Sequence, residues 1–159
     1  MFKKLLTTRS LCVSAVIAAL YAALTLLLAP ISYGGVQCRL SEAMTLLPMI
    51  LPQAIPGLFV GCLIANLYTG MITDIIFGSL ATLIAAIGTY LLRKKPLLAA
   101  ACPVLANAVI VGLTLSLSLN LPLLLTMAEV AIGETGAVLV GFVILSAMKR
   151  AKVDLTRLG

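Results

Sequence analysis

Long apolar runs, separated by short stretches rich in proline, glycine and charged residues, make up most of the sequence. A helix needs about 20 predominantly apolar residues to cross the hydrocarbon core of a bilayer. Four of the runs are about that long and two are shorter, so the pattern predicts an all-α integral membrane protein with a single membrane domain over residues 1–159. The six runs cover residues 10–30, 41–52, 54–69, 72–92, 97–118 and 123–148.

The second and third runs present a choice between one long helix and two short ones. As one helix, residues 41–69 would extend about 44 Å at a rise of 1.5 Å per residue, well beyond a core of about 30 Å. Pro48, Pro52 and Pro56 would also interrupt such a helix, because proline lacks the amide donor and its ring clashes with the preceding turn. We therefore expect two short or tilted helices in this region.

The basic residues support the same number of crossings. They gather in three clusters at the ends of predicted helices, and the positive-inside rule places all three clusters in the cytoplasm. An even number of crossings must then separate each cluster from the next, which predicts six transmembrane helices with both the N- and the C-terminus cytoplasmic. The clusters comprise Lys3, Lys4 and Arg9; Arg93, Lys94 and Lys95; and Lys149, Arg150, Lys152 and Arg157.

Composition narrows the function to binding or transport within the bilayer. Of the 159 residues, 62% are hydrophobic and 10% are charged, against roughly 25% charged residues in soluble domains. The chain has no histidine and its four cysteines are widely spaced, so we expect no metal and no cofactor. A GxxxxGK[ST] phosphate-binding loop is also absent from the sequence. We therefore expect a non-enzymatic, multi-pass protein of a prokaryotic plasma membrane, in contact with lipid and not with nucleic acid.

Acidic residues inside apolar helices are costly to insert and usually face a cavity or a partner. Glu134 lies near the middle of the last predicted helix, between Gly133 and Gly136, where small neighbours leave room for a ligand or a second helix. Glu129 lies about 140° away around the same helix, so the two acids cannot share a face. We predict substrate contact for Glu134, with a helix-to-helix hydrogen bond as the alternative. For Glu129, substrate contact and a solvated rim position both remain open.

Two further polar residues interrupt the apolar pattern. Asn107 lies at the depth of Glu134 in the fifth predicted helix, where a lone asparagine serves equally as a helix-to-helix hydrogen-bond donor or as a ligand contact. Asp74 begins the fourth predicted helix at the outer surface, where it fits a first-turn or N-cap acid better than a ligand group. Both are retained as candidate substrate-binding residues.

Segment 33–48 is the densest polar stretch on the predicted outer side of the membrane. Its candidate binding residues are an aromatic ring, an amide and two opposite charges, namely Tyr33, Gln37, Arg39 and Glu42. One interpretation is an ordinary helix start in which the arginine and the glutamate pair across a turn. The other, which fits the topology better, is a binding loop that closes over a cavity formed by the later helices.

The first predicted helix carries alanines at spacings of three and four, which give it a smooth face that allows close helix approach. This alanine stripe either packs inside the bundle or docks onto another membrane protein, and we predict docking. The stripe consists of Ala15, Ala18, Ala19, Ala22 and Ala23.

Three segments of the sequence resemble one transporter family. They are VQCRLSEAMTLLPMILPQAIPGLFVGCLIAN at 36–66, DIIFGSLATLIAA at 74–86 and the Gly-Glu pair at 133–134, and the similarity extends through essentially the whole chain. On these segments the sequence is similar to the queuosine-precursor S components, the QueT family, of energy-coupling factor (ECF) transporters. Within the first segment, the QxRxSEAxTLLP stretch at 37–48 is fairly specific to that family, whereas the Gly-Glu pair and the alanine stripe are generic.

The resemblance implies a substrate and partners. The substrate would be a 7-deazaguanine (preQ0, preQ1 or queuine) captured from outside, and uptake would require a transmembrane scaffold (the T component) and two ABC-type ATPases. The alanine stripe would contact the scaffold, through Ala15, Ala19 and Ala23 or through Ala18 and Ala22. A flat ring would stack on an aromatic side chain, for which the candidates are Tyr33, Tyr68 and Phe77.

Other functions fit the sequence less well. An S component for another vitamin-like molecule would share the same architecture and stays open as an alternative. An autonomous proton-coupled carrier, with Glu134 as the coupling acid, is disfavoured because the six short helices show no inverted repeat. A lipid-modifying enzyme would usually show paired carboxylates or a histidine cluster at helical spacing, whereas the interior acids of this chain are scattered.

Overall fold

The computed structural model describes residues 7–32 and 39–151, and all regular structure in these two ranges is helical. By length and hydropathy, the first, fourth, fifth and sixth helices can each cross a membrane, and the third is a shorter apolar helix. The prediction of an all-helical membrane bundle is confirmed. The helices are α1 (Thr8–Leu27), α2 (Leu40–Met49), α3 (Ala54–Thr69), α4 (Asp74–Leu91), α5 (Pro96–Leu119) and α6 (Leu123–Arg150), with one further turn at Ala29–Ser32.

Local sequence explains where several helices begin and end. Thr7 caps α1, because its hydroxyl accepts a hydrogen bond from the backbone N–H of Ser10. Pro96 occupies the first turn of α5, where its missing N–H removes no helical hydrogen bond. Gly70 after α3 and Asn120 after α5 adopt left-handed conformations, with φ of 69° and 54°, as these residue types do at helix C-termini. The resulting connections are short, so α4 packs against α3 and α6 packs against α5.

The second helix differs from the expected one. The sequence predicts a helical span over residues 41–52, whereas α2 is a ten-residue 3₁₀ helix. Pro48 lies inside it and Pro52 lies just beyond its end, and both lack the N–H that a longer α-helix would need. At about 2.0 Å per residue, ten residues extend about 20 Å, which is less than a bilayer core. This short helix contacts each of the other five helices and therefore lies at the centre of the bundle.

Glycines of α3 allow it to pack against the backbone of α1. A Cβ atom added at Gly57 would lie 2.7 Å from the carbonyl oxygen of Ser14, and one added at Gly61 would lie 2.8 Å from that of Ala18. Side-chain carbons do not approach carbonyl oxygens so closely, so the contact requires glycine. The close contact of α1 with α3 holds one side of α1 inside the bundle, next to α2.

Candidate functional site

A small cavity lies where α2, α5 and α6 meet. Its volume of about 10 Å³ is close to the smallest space that holds one water molecule. Four of its six lining side chains are polar, and all four are buried. A ligand larger than water would therefore have to move these side chains apart. The lining residues are Arg39, Glu42, Asn107, Val111, Val130 and Glu134.

The carboxylate of Glu134 and the amide of Asn107 meet between α6 and α5. Asn107 Nδ2 donates a hydrogen bond to Glu134 Oε1 over 2.8 Å. The exposed fractions of the two residues are 3% for Asn107 and 6% for Glu134. The equal depth inferred from the sequence thus corresponds to direct contact, and the helix-to-helix hydrogen bond that the sequence left open is present.

Glu42 is held by the first helix. Its exposed fraction is 1%, and its Oε1 atom accepts a hydrogen bond from the hydroxyl of Tyr21, which is fully buried. One turn further along α1, the hydroxyl oxygens of Thr25 and Ser41 lie 2.7 Å apart in a second hydrogen bond. These two contacts fix the first turn of α2 against α1, and with it the position of the Glu42 carboxylate.

Arg39 connects the cavity to α4. Its Nη2 atom lies 3.2 Å from Oδ2 of Asp74, and both side chains are buried. Asn66 Nδ2 donates a hydrogen bond of 3.0 Å to the main-chain carbonyl of Asp74. The expected surface position of Asp74 was wrong: the residue lies in the first turn of α4 but points inward, because a buried guanidinium needs a counter-charge.

Three buried acceptor atoms at the cavity make no hydrogen bond of normal geometry with the residues that the structure describes. They are Oε2 of Glu42, Oδ1 of Asn107 and Oε2 of Glu134. A buried acceptor left without a donor costs about 1–3 kcal/mol, so a ligand that supplied donors here would be stabilised. Within the described ranges, no group of three or more histidine, cysteine, aspartate or glutamate residues is arranged to hold a metal ion. The acceptors suit an organic ligand rich in N–H groups.

Several candidate substrate-binding residues predicted from the sequence are not among the described residues that line the cavity. Glu129 is half-buried on α6 and is not among the described residues that line the cavity. Phe77 is 47% exposed and borders a separate apolar groove beside α5, and Tyr68 is 69% exposed at the end of α3. Tyr33 and Gln37 lie outside the described residues. Among the three aromatic candidates for ring stacking, the two that the structure describes therefore face away from the cavity.

The alanine stripe of α1 divides into two sets on different faces. Ala18 and Ala22 are buried inside the bundle, whereas Ala15, Ala19 and Ala23 are exposed. Docking onto a partner stays a prediction. It now rests on the exposed set, which is the one that a second membrane protein could reach.

Tyr21 is a site residue that sequence reasoning missed. A signal for it exists, because α1 carries hydroxyl groups at spacings of four, seven and four residues, which places them along one helix face. All of them are buried. A polar row inside a membrane helix indicates a face that contacts polar groups of its neighbours. The row consists of Ser10, Ser14, Tyr21 and Thr25.

Comparison with known proteins agrees with the resemblance noted from the sequence. A family model described as "QueT transporter" matches residues 11–150. The "Queuosine precursor transporter QueT" of Lactococcus lactis subsp. cremoris (strain MG1363) is 29% identical over 158 residues, covering 90% of this chain and 93% of the relative. No solved structure matches the chain. Because the family model covers most of the sequence and the structure supplies four helices able to span a membrane, the chain is a multi-pass cell-membrane protein that belongs to the QueT transporter family.

Proposed function

We propose that the chain is the substrate-binding S component of an ECF-type importer, and that it captures a queuosine precursor such as preQ0, preQ1 or queuine from outside. Membership of the QueT transporter family and the printed function of the Lactococcus lactis relative support this proposal. The observation that carries it is a set of three buried acceptor atoms at one cavity in the centre of the bundle, none of which makes a hydrogen bond of normal geometry with the described residues.

The chemistry of a 7-deazaguanine matches these acceptors. Its pyrimidine edge presents adjacent N–H donors, which one carboxylate accepts in bidentate fashion, next to a carbonyl oxygen that needs a donor. The cavity offers the carboxylates of Glu42 and Glu134 as acceptors and the guanidinium of Arg39 as a donor. Hydrogen bonds to charged groups in a desolvated site are worth about 1.5–3 kcal/mol each, so a few of them suffice for tight capture.

The proposed transport cycle depends on partners. The chain lacks a phosphate-binding loop, so ATP hydrolysis falls to two ABC-type ATPases that act through a transmembrane T component. The three basic clusters favour cytoplasmic N- and C-termini, which leaves the binding loop on the outer side. The exposed alanines of α1, Ala15, Ala19 and Ala23, form the surface that meets the T component.

Binding and transport by the purified chain test this function. Native mass spectrometry with a panel of purines, deazapurines and vitamins should show retention of a deazaguanine, and the ligand should raise the unfolding temperature. Liposomes containing the chain alone should not accumulate that ligand. Selective retention of an unrelated vitamin would instead support an S component of another specificity, and accumulation driven by a proton gradient would support an autonomous carrier.

Glu134→Gln tests the assignment of the cavity. The substitution should lower the affinity for the best deazaguanine ligand by more than about tenfold, because it removes a charge-assisted acceptor from a desolvated site. Glu129→Gln is the matched control: it makes the same chemical change on the same helix, at a half-buried residue that is not among the described residues lining the cavity. Calorimetric titration of both variants measures the difference. Equal affinities of the wild type and Glu134→Gln would remove Glu134 from the site.

A further inference from the structure

Acidic side chains outnumber basic ones among the described residues around the cavity. Arg39, Glu42 and Glu134 line it, and Asp74 is ion-paired with the arginine. When ionised, these four side chains carry one positive and three negative charges, and all four are buried. An uncompensated charge in a desolvated interior is strongly unfavourable. A ligand that brought a positive charge would therefore be stabilised in this cavity more than a neutral ligand of the same shape.

The lining groups fall into two pairs of different hydrogen-bonding character. On one side, Arg39 supplies donors and Glu42 supplies acceptors, since Oε2 of Glu42 makes no hydrogen bond of normal geometry among the described residues. On the other side, Asn107 Nδ2 directs one of its two N–H groups at Glu134 Oε1, and the pair also presents two acceptors, Oδ1 of Asn107 and Oε2 of Glu134. One pair thus offers guanidinium donors beside a carboxylate, and the other pair offers two acceptor oxygens beside an amide.

Each pair matches a different part of a substituted deazaguanine. The lactam edge of the ring carries a carbonyl oxygen beside N–H groups, which is the complement of the pair Arg39 and Glu42. A primary ammonium carries three N–H donors and no acceptor, which is the complement of the pair Asn107 and Glu134. A nitrile carries an acceptor and no donor, so it would leave both acceptor oxygens of the second pair without a hydrogen bond from the ligand.

We propose that Glu134 and Asn107 form a subsite for a protonated primary amine on the ligand, while Arg39 and Glu42 bind the lactam edge of its ring. The protein therefore selects an aminomethyl deazaguanine over neutral deazaguanines of the same size. This inference rests on the proposed function, because it assumes that the cavity opens to receive a deazaguanine. The selectivity arises because the ammonium supplies three donors and a positive charge, whereas a hydroxyl supplies one donor, a nitrile supplies none, and both are uncharged.

A ligand series on the unmodified protein tests the subsite without dependence on a variant's folding. The dissociation constants of deazaguanines with an aminomethyl, a hydroxymethyl or a nitrile group at the same ring position would be compared. The aminomethyl compound should bind at least about tenfold more tightly than either neutral compound, a difference that corresponds to about 1.4 kcal/mol. The hydroxymethyl compound separates the effect of charge from that of size.

Two carboxyl-to-amide variants then locate the preference. Glu134→Gln should reduce the ratio of amine to nitrile affinity to about threefold or less, because the charged acceptor is lost. Glu42→Gln should weaken both ligands while keeping a clear preference for the amine. The matched control is Glu129→Gln, which changes a residue of α6 that is not among the described residues lining the cavity and should keep the wild-type ratio. Thermal unfolding of each variant confirms that it is folded.

Different failures have different meanings. Equal binding of the amine and nitrile compounds by the wild type would overturn the amine subsite and leave the S-component proposal intact. Loss of the preference in Glu42→Gln but not in Glu134→Gln would also overturn it, because the two pairs would then have the opposite roles. If no deazaguanine bound at all, the proposed function itself would fail.

Discussion

At the scale of single residues, the hydrogen bond from Tyr21 to Glu42 determines the geometry of the cavity. The tyrosine is fully buried on α1, and its hydroxyl gives the carboxylate of Glu42 one of its partners. The other carboxylate oxygen then faces the cavity without a hydrogen bond of normal geometry among the described residues. Tyr21 therefore acts as a positioning residue, because it fixes a ligand-facing group without lining the cavity itself.

Tyr21→Phe should destabilise the protein. It removes the hydroxyl and leaves Oε1 of Glu42 without this donor, while the ring still fills its place in the core. A lost hydrogen bond to a buried charged group costs about 1.5–3 kcal/mol. Thermal or denaturant unfolding in detergent measures the change, and ligand titration should show a weaker affinity as Glu42 becomes mobile.

Tyr90→Phe is the control for that change. Tyr90 is partly buried on α4, and its ring, which the substitution keeps, stacks under the guanidinium of Arg93. Its free energy of unfolding should stay within about 0.5 kcal/mol of the wild type. A Tyr21→Phe protein as stable as the control would show that the tyrosine hydroxyl contributes nothing to holding Glu42.

The sequence predicted contacts between residues correctly where these depend only on how deep each residue lies in the membrane. It failed where a contact depends on how a helix is rotated about its own axis. Counting residues along two helices was enough to place Asn107 and Glu134 at one depth, and the structure brings them into contact. The inward direction of Asp74 and the role of Tyr21 depend on which way α4 and α1 face. That rotation is set by packing against the other helices, and a single sequence does not show how the helices pack.

At the scale of elements, the central 3₁₀ helix is held by a close glycine contact. A Cβ atom added at Gly141 of α6 would collide with the carbonyl oxygen of Ala43 on α2. Ala43 directly follows Glu42, so the distance between α2 and α6 also sets where that carboxylate lies. The sequence predicted a short helix here from its prolines. The 3₁₀ geometry of α2 and its contact with Gly141 depend on tertiary packing. The pattern of apolar residues along the chain therefore did not predict them.

Gly141→Ala should therefore weaken both stability and binding. The added methyl group forces α2 away from α6, and overpacking of this kind typically costs about 1–3 kcal/mol. The displacement of Glu42 should reduce ligand affinity as well. Unfolding in detergent and calorimetric titration of the same preparation measure the two effects.

Gly136→Ala provides the comparison within the same helix. A Cβ atom at Gly136 would meet nothing within 4 Å. This variant should keep its affinity, and its stability should be unchanged or slightly higher, because alanine favours a helix over glycine by about 1 kcal/mol or less. Equal behaviour of the two variants would show that the contact between α6 and α2 is not a determinant of the site.

At the scale of the whole molecule, α1 has one buried face and one exposed face. One face is buried against α3 and α2 and carries Tyr21, Ala18 and Ala22. The other face is exposed and carries Ala15, Ala19 and Ala23, four residues apart, on one line of the helix. The buried face of α1 reaches the cavity through the hydrogen bond from Tyr21 to Glu42. The proposed T-component surface lies on the opposite, exposed face. Substitutions on the two faces can therefore test binding and transport separately.

Ala19→Leu should separate the two activities. Ala19 is exposed, so a larger side chain fits at this position without disturbing the bundle. The same bulk would prevent close approach of a second helix, because such contacts depend on small residues. The isolated variant should bind ligand with near-normal affinity and unfold at the wild-type temperature, while cells that carry it should fail to accumulate the substrate.

Ala18→Leu, one residue away, should behave in the opposite way. Ala18 is 5% exposed, and a Cβ atom added at Gly61 would lie only 2.8 Å from its carbonyl oxygen, so α1 and α3 leave no space for a leucine there. Overpacking should lower the stability by about 1–3 kcal/mol, and binding should fall together with transport. Measuring ligand affinity, thermal stability and cellular uptake for both variants distinguishes a docking face from a packing face. Normal uptake by Ala19→Leu would show that the exposed alanines are not the surface on which transport depends.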